Sequence, residues 1–123
     1  MYLLKVEEAF EAAHNLRGYK GKCANLHGHN WIIEVEISGE KLNELGILVD
    51  FKDVKRELKA ILDRLDHRYL NEISPFDKIN PTAENLAKYI YEEFCGNEIF
   101  KNDAKLLAVT VYESPKSSVR YFE

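Results

Sequence analysis

Apolar and polar residues alternate from Tyr2 to His14. Even positions carry Tyr2, Leu4, Val6, Phe10, Ala12 and His14, broken only by Glu8, while Lys5, Glu7 and Glu11 are odd. A period of two marks a half-buried strand, so this stretch is predicted to be one long strand with a wetter face. A second strand is predicted from about His27 to Ser38, where Ile33, Val35 and Ile37 share one face with Trp31, and Glu34 and Glu36 take the other. The period then changes. Asp50 is placed to cap a helix in which Phe51, Val54, Leu58, Ile61, Leu62 and Leu65 recur at helical spacing, ending near Asp66. Thr82 begins a second helix with Leu86, Tyr89, Ile90 and Phe94 on its inner stripe and Gly96 as its stop. A third strand (about Leu106 to Glu113) and a fourth (Val119 to Phe122) flank the turn Ser114, Pro115, Lys116, Ser117.

The order ββααββ predicts an α+β fold: a four-stranded antiparallel sheet with both helices packed on one face. Such a sheet has two open edges, so subunits are expected to join edge to edge.

Composition narrows this picture. A chain of 123 residues that is 46% hydrophobic and 31% charged suits a single domain over 1–123. No apolar run reaches membrane-span length and no secretion signal is visible, so no membrane partner and a cytoplasmic location are expected. A net charge of -4 argues against general nucleic-acid binding. Cys23 and Cys95 are far apart in sequence, which disfavours a disulfide framework, and Cys95 is expected to be core.

The candidate chemistry begins with histidine. Of four histidines, three fall at His14, His27 and His29, at the ends of the two strands expected to form a hairpin. Residues two apart on a strand point the same way, so His27 and His29 can converge on one ion while the end of strand one brings in His14. Three neutral imidazoles with an open fourth position form a catalytic zinc arrangement. Two arrangements are open for Cys23: a fourth ligand closing a structural site, or a free thiol near Arg17, Lys20 and Lys22 acting as a base. Asp66 and His67 read either as a helix end or as an acid-base pair, which requires the backbone to turn between them. Glu113 ends strand three in phase with Val109 and Val111, as a carboxylate reaching water or as an acceptor for a ligand with paired N–H donors.

Six ordered motifs now resemble a known family, the 6-pyruvoyl- and 6-carboxytetrahydropterin synthases. They are Phe10-Glu11-Ala12-Ala13-His14-Asn15-Leu16, Cys23 to His29, Gly46 to Phe51, Leu65-Asp66-His67, Pro81-Thr82-Ala83-Glu84-Asn85 and Val111-Tyr112-Glu113. The resemblance implies a tunnelling fold, in which strands from three subunits close a barrel, two rings stack as a hexamer, and active sites lie between subunits. It also implies Zn2+ on His14, His27 and His29, Cys23 as base, Asp66 and His67 as a proton relay, and Glu113 as pterin anchor. Phe51 and Thr82 match segments that line the pterin pocket. Three residues separate Cys23 from His27, as in the shorter 6-carboxytetrahydropterin enzymes. That implies conversion of 7,8-dihydroneopterin triphosphate to 6-carboxytetrahydropterin, acetaldehyde and triphosphate, toward the deazapurine bases (queuosine and archaeosine) of transfer RNA. Alternatives are pyruvoyl-type triphosphate elimination, a related side-chain cleavage feeding folate synthesis, and a zinc-stabilised binding module without turnover. Arg17, Lys20 and Lys22 are candidates to hold the triphosphate.

Overall fold

A computed structural model describes residues 1–123. The strands β1 (Tyr2–His14) and β2 (His27–Gly39) pair antiparallel along their whole length, from Tyr2 opposite Gly39 to His14 opposite His27. The register matches the alternation in the sequence, because Val6 meets Val35 and Phe10 meets Trp31, so one face of the hairpin is continuously apolar. His14 and His27 therefore close the same end of the hairpin, with His29 one pleat further in.

The helix α1 (Phe51–Leu62) starts where Asp50 accepts a hydrogen bond from the Lys52 backbone at 2.8 Å. Its buried stripe is Val54, Leu58, Ile61 and Leu62. It stops short of the expected Asp66, since residues beyond Leu62 follow turns that keep Leu65 in the core without continuing the helix. The next element, β3 (Arg68–Tyr69), was not foreseen: it lies parallel to β1, with Arg68 beside Ala12 and Tyr69 beside Ala13. A second helix, α2 (Ala83–Phe94), is capped by Thr82, whose Oγ1 accepts from the Asn85 backbone at 3.1 Å. Caps of this kind contribute about 1 kcal/mol each. Cys95 lies one residue past α2 and is exposed rather than core, because Phe94 occupies the inward position at the helix end.

The strands β4 (Lys105–Ser114) and β5 (Ser117–Phe122) complete the sheet in the order β3-β1-β2-β4-β5. The sheet is thus mixed and five-stranded, where an antiparallel four-stranded one was expected. Both helices cover the face bearing Phe10, Trp31, Ile33, Val35, Val109 and Val111, all of which belong to one buried cluster with Val54, Leu58, Leu86 and Ile90. No helix covers the opposite face. There Lys5 faces Glu34 at 3.7 Å, and Arg120 Nε donates to Glu36 at 2.6 Å. No helix is long and apolar enough to cross a membrane.

Candidate active site

Strand parity and register place His14, His27 and His29 on the helix-side face at one end of the sheet. Their rings form a nearly equilateral triangle, with centroids 4.6 Å (His14 to His27), 5.1 Å (His14 to His29) and 4.8 Å (His27 to His29) apart. One nitrogen from each lies within 4.8 Å of the others. Backbone carbonyls orient two of the rings. His14 Nδ1 donates to Pro81 O at 2.7 Å, and His27 Nδ1 donates to Asn25 O at 2.7 Å. A carbonyl only accepts, so each Nδ1 carries the hydrogen and each Nε2 presents a lone pair. This outer hydrogen bond is the usual device that orients a metal-ligating histidine.

The inner side of the triangle is closed by Trp31, the only tryptophan in the chain. Its ring stands edge-on to His14 and His29 at 5.0 and 5.1 Å, and its indole N–H donates to Ala12 O at 3.2 Å. Burial holds the imidazoles of His14 and His29 below the ordinary histidine pKa, which keeps them neutral and ready to ligate at neutral pH. Nε2 of His14 and Nε2 of His29 are buried without a hydrogen-bond partner. An orphaned pair of buried ring nitrogens beside a third imidazole fits a metal ion, and the all-imidazole donor set suits a borderline-soft dication.

Cys23 sits in a short 3-10 turn, Lys22–Ala24, that hangs from the end of β1: Leu16 N donates to Cys23 O at 2.8 Å. Its thiol is half-buried and is not among the converging nitrogens. A polar knot that sequence reasoning did not single out secures this turn. Asn71 exchanges two hydrogen bonds with the Asn15 backbone at 3.0 and 2.9 Å, while the Asn15 amide donates to Ala24 O at 3.4 Å and accepts from the Tyr69 hydroxyl. Asn15, next to His14 in its motif, was the one available signal.

Arg17 also does something unforeseen. Its guanidinium donates to Phe76 O and Ile79 O at 2.6 and 2.9 Å, and its backbone exchanges hydrogen bonds with Asn80 at 2.9 Å each. That brace holds the segment ending at Pro81, the acceptor for His14. It leaves Lys20 and Lys22 as the loop's uncommitted cations.

Glu113 ends up beside the triad. One carboxylate oxygen lies 4.0 Å from His14 Nε2 and the other 3.8 Å from His29 Nε2. Thr82 is close in sequence to the Pro81 carbonyl that holds His14, but its hydroxyl is committed to capping α2. Phe51 is elsewhere. It is 53% exposed and lines an apolar pocket with Tyr2 and Leu4, at the start of β1. At about 3.3 Å per residue, that is on the order of 30 to 40 Å from the histidine end of the strand.

Asp66 and His67 do form a pair, through a turn in which His67 takes the left-handed conformation, φ 58°. His67 Nδ1 donates to Asp66 at 3.0 Å, and Asp66 accepts from the Glu11 backbone at 2.9 Å. His67 N donates to Glu11 O at 2.5 Å, and its Nε2 lies 3.3 Å from the Glu11 carboxylate. His67 borders an open depression at the β1 edge of the sheet that it shares with Glu11, Ala13, Gly28 and Asn30 and also with His29 of the triad. The dyad thus sits at the edge of β1, tied to Glu11, rather than inside the imidazole triangle.

The Asp66 hydrogen bond, and then its charge, raise the His67 pKa above 6.5, while the Glu11 amide and then His67 lower that of Asp66. A histidine raised on folding adds stability that is fully present below its unfolded value and is lost as pH rises through the folded one. The lowered aspartate behaves oppositely: its contribution is present above 3.8 and is lost as pH falls through its folded value. NMR titration of the ring protons should give His67 a midpoint above 6.5 in the wild type. Asp66→Asn should lower that midpoint; an unchanged one would mean the dyad is not formed in solution.

A mixed sheet backed by two helices, carrying three convergent imidazoles at one end, defines a class of compact α+β proteins with a candidate metal centre at the mouth of a strand hairpin. The family model for 6-pyruvoyl tetrahydropterin synthase matches residues 3–123, and the chain belongs to that family. It is 31% identical to the 6-carboxy-5,6,7,8-tetrahydropterin synthase of Haemophilus influenzae, over the full length of both chains. It is 32% identical to the 6-pyruvoyl tetrahydrobiopterin synthase of Dictyostelium discoideum, over 85% of this chain and 87% of that one. The solved 6-pyruvoyl tetrahydropterin synthase of Caenorhabditis elegans superposes with a TM-score of 0.86 at 30% identity, covering 99% of this chain and 95% of that one.

Proposed function

We propose that this chain is a zinc-dependent 6-carboxytetrahydropterin synthase. It converts 7,8-dihydroneopterin triphosphate and one water, whose oxygen balances the new carboxylate, to 6-carboxytetrahydropterin, acetaldehyde and triphosphate, in the supply of deazapurine bases of transfer RNA. The observation that carries this reading is the triangle of imidazoles with orphaned Nε2 atoms, flanked by a thiol that stays outside it. The choice of subfamily rests on the three-residue gap between Cys23 and His27.

His14, His27 and His29 hold the zinc, which supplies a Lewis acid that makes side-chain hydroxyls and the neighbouring C–H bonds of the substrate more acidic. Cys23 takes a proton from the side chain in its thiolate form. Glu113 accepts from the paired N–H donors of the pterin ring and fixes its orientation, with the Thr82 segment beside it. Lys20 and Lys22 face the triphosphate.

Asp66 and His67 sit outside the imidazole triangle at the β1 edge, held on Glu11, where a neighbouring subunit would join. They serve the triad of a neighbouring subunit, and so does Phe51, which lies at the far end of β1. The family resemblance supports sites between subunits, with sheets joined along β5 and the stretch of β1 that the two-residue β3 leaves unpaired into a trimeric barrel, and two such rings stacked as a hexamer.

A second reading, pyruvoyl-type elimination of triphosphate with the side-chain carbons retained, is favoured by the name of the Dictyostelium relative. Mass spectrometry of the pterin formed from dihydroneopterin triphosphate separates the two. A 6-carboxyl product supports the proposal, and a product keeping all three side-chain carbons overturns it.

A further inference from the structure

The two orphaned nitrogens, Nε2 of His14 and of His29, both look toward Glu113. At 4.0 and 3.8 Å, the carboxylate is too distant for hydrogen bonds, which span about 2.7 to 3.2 Å. For His14 such a bond is also chemically closed, since the ring's hydrogen is given to Pro81 and a lone pair faces the oxygen. The His14 lone pair and the carboxylate, two acceptors facing each other, call for a cation between them, and the unpartnered Nε2 of His29 borders the same gap. The spacing suits one. With metal bonds of about 2.0 to 2.2 Å to nitrogen and oxygen, the two atoms stand about 3.4 Å apart at a tetrahedral angle and about 4.2 Å apart if opposed.

We propose that Glu113 is the fourth ligand of the metal when no substrate is bound, and that the pterin ring removes it. This deepens the function proposed above and rests on it. Glu113 sits at the end of β4 with its side chain 36% exposed, so its carboxylate has room to swing. The ring's N–H edge and the side-chain hydroxyls are at opposite ends of the substrate. One carboxylate therefore cannot touch both the metal and that edge. Engaging the ring vacates the coordination position that the hydroxyls then take, so recognition of the ring controls access to the metal. The arrangement also keeps Cys23 off the metal and available as a base.

Cobalt(II) in place of zinc makes the coordination visible through its d–d absorption. The experiment compares wild-type protein with Glu113→Gln, each titrated with cobalt, with and without a dihydropterin that bears hydrogen instead of the side chain. Glu113→Gln is expected to change the spectrum and weaken cobalt binding by about tenfold or more, the scale on which single partners tune metal sites. The ring-only probe is expected to shift the wild-type spectrum toward that of the variant and leave the variant's spectrum unchanged. By reciprocity, it also weakens cobalt binding to the wild type only. Glu113→Asp, which keeps the charge but shortens the reach, should weaken cobalt binding similarly and serves if the glutamine variant does not fold. Identical spectra and affinities in wild type and variants would overturn the Glu113 ligand alone. A wild type that binds no cobalt would overturn the three-histidine centre and, with it, the proposed function.

Discussion

Replacing Cys23 with alanine is expected to leave the zinc content of the protein unchanged while cutting turnover of dihydroneopterin triphosphate by roughly two to four orders of magnitude, the usual worth of a positioned general base. The expectation follows from geometry. The three nitrogens that converge come only from His14, His27 and His29, and the Cys23 turn is held by its own backbone and by Asn15, not by its thiol. Alanine therefore removes the sulfur without freeing the loop. Elemental analysis beside a steady-state assay checks both halves. Zinc lost with the thiol would mark a closed structural site, and full activity would remove Cys23 from the chemistry.

Removing an imidazole should do the reverse and cost the metal itself. His27 is the informative position, because it is half-buried, whereas His14 is fully enclosed and its truncation would also leave a cavity and an unpaired Pro81 carbonyl. His27→Ala should weaken zinc binding by at least the roughly 10- to 100-fold that loss of an outer-shell partner costs, with activity falling in proportion. Folding should persist, since the β1 and β2 register rests on Val6, Phe10, Trp31 and Val35. Equilibrium dialysis against a zinc buffer, with circular dichroism as the control, measures this. Zinc retained at wild-type affinity would contradict the triad.

The triad was legible because strand parity is strict. His27 and His29 share a face by their spacing, and His14 joins them once the hairpin register is set by alternating apolar residues. The helices were legible through Asp50 and Thr82 and the apolar stripes behind them. What escaped has a common physical origin. The two-residue strand Arg68–Tyr69 is too short to carry a period, and it exists because its backbone docks on the edge of β1. Leu65 stays in helical phase although the helix has ended, so the apolar pattern overran the true boundary. Arg17 looked like part of a solvated or phosphate-binding run, and its partners, the carbonyls of Phe76 and Ile79, are distant in sequence and carry no side-chain signature. The turn between Asp66 and His67 was readable, but its docking on the Glu11 backbone at the edge of β1 was not.

The most direct test of the whole account is the ratio of acetaldehyde to triphosphate released from 7,8-dihydroneopterin triphosphate by the zinc-loaded protein. The account predicts one acetaldehyde per triphosphate, and neither product once a chelator has stripped the metal. Triphosphate released without acetaldehyde would contradict it.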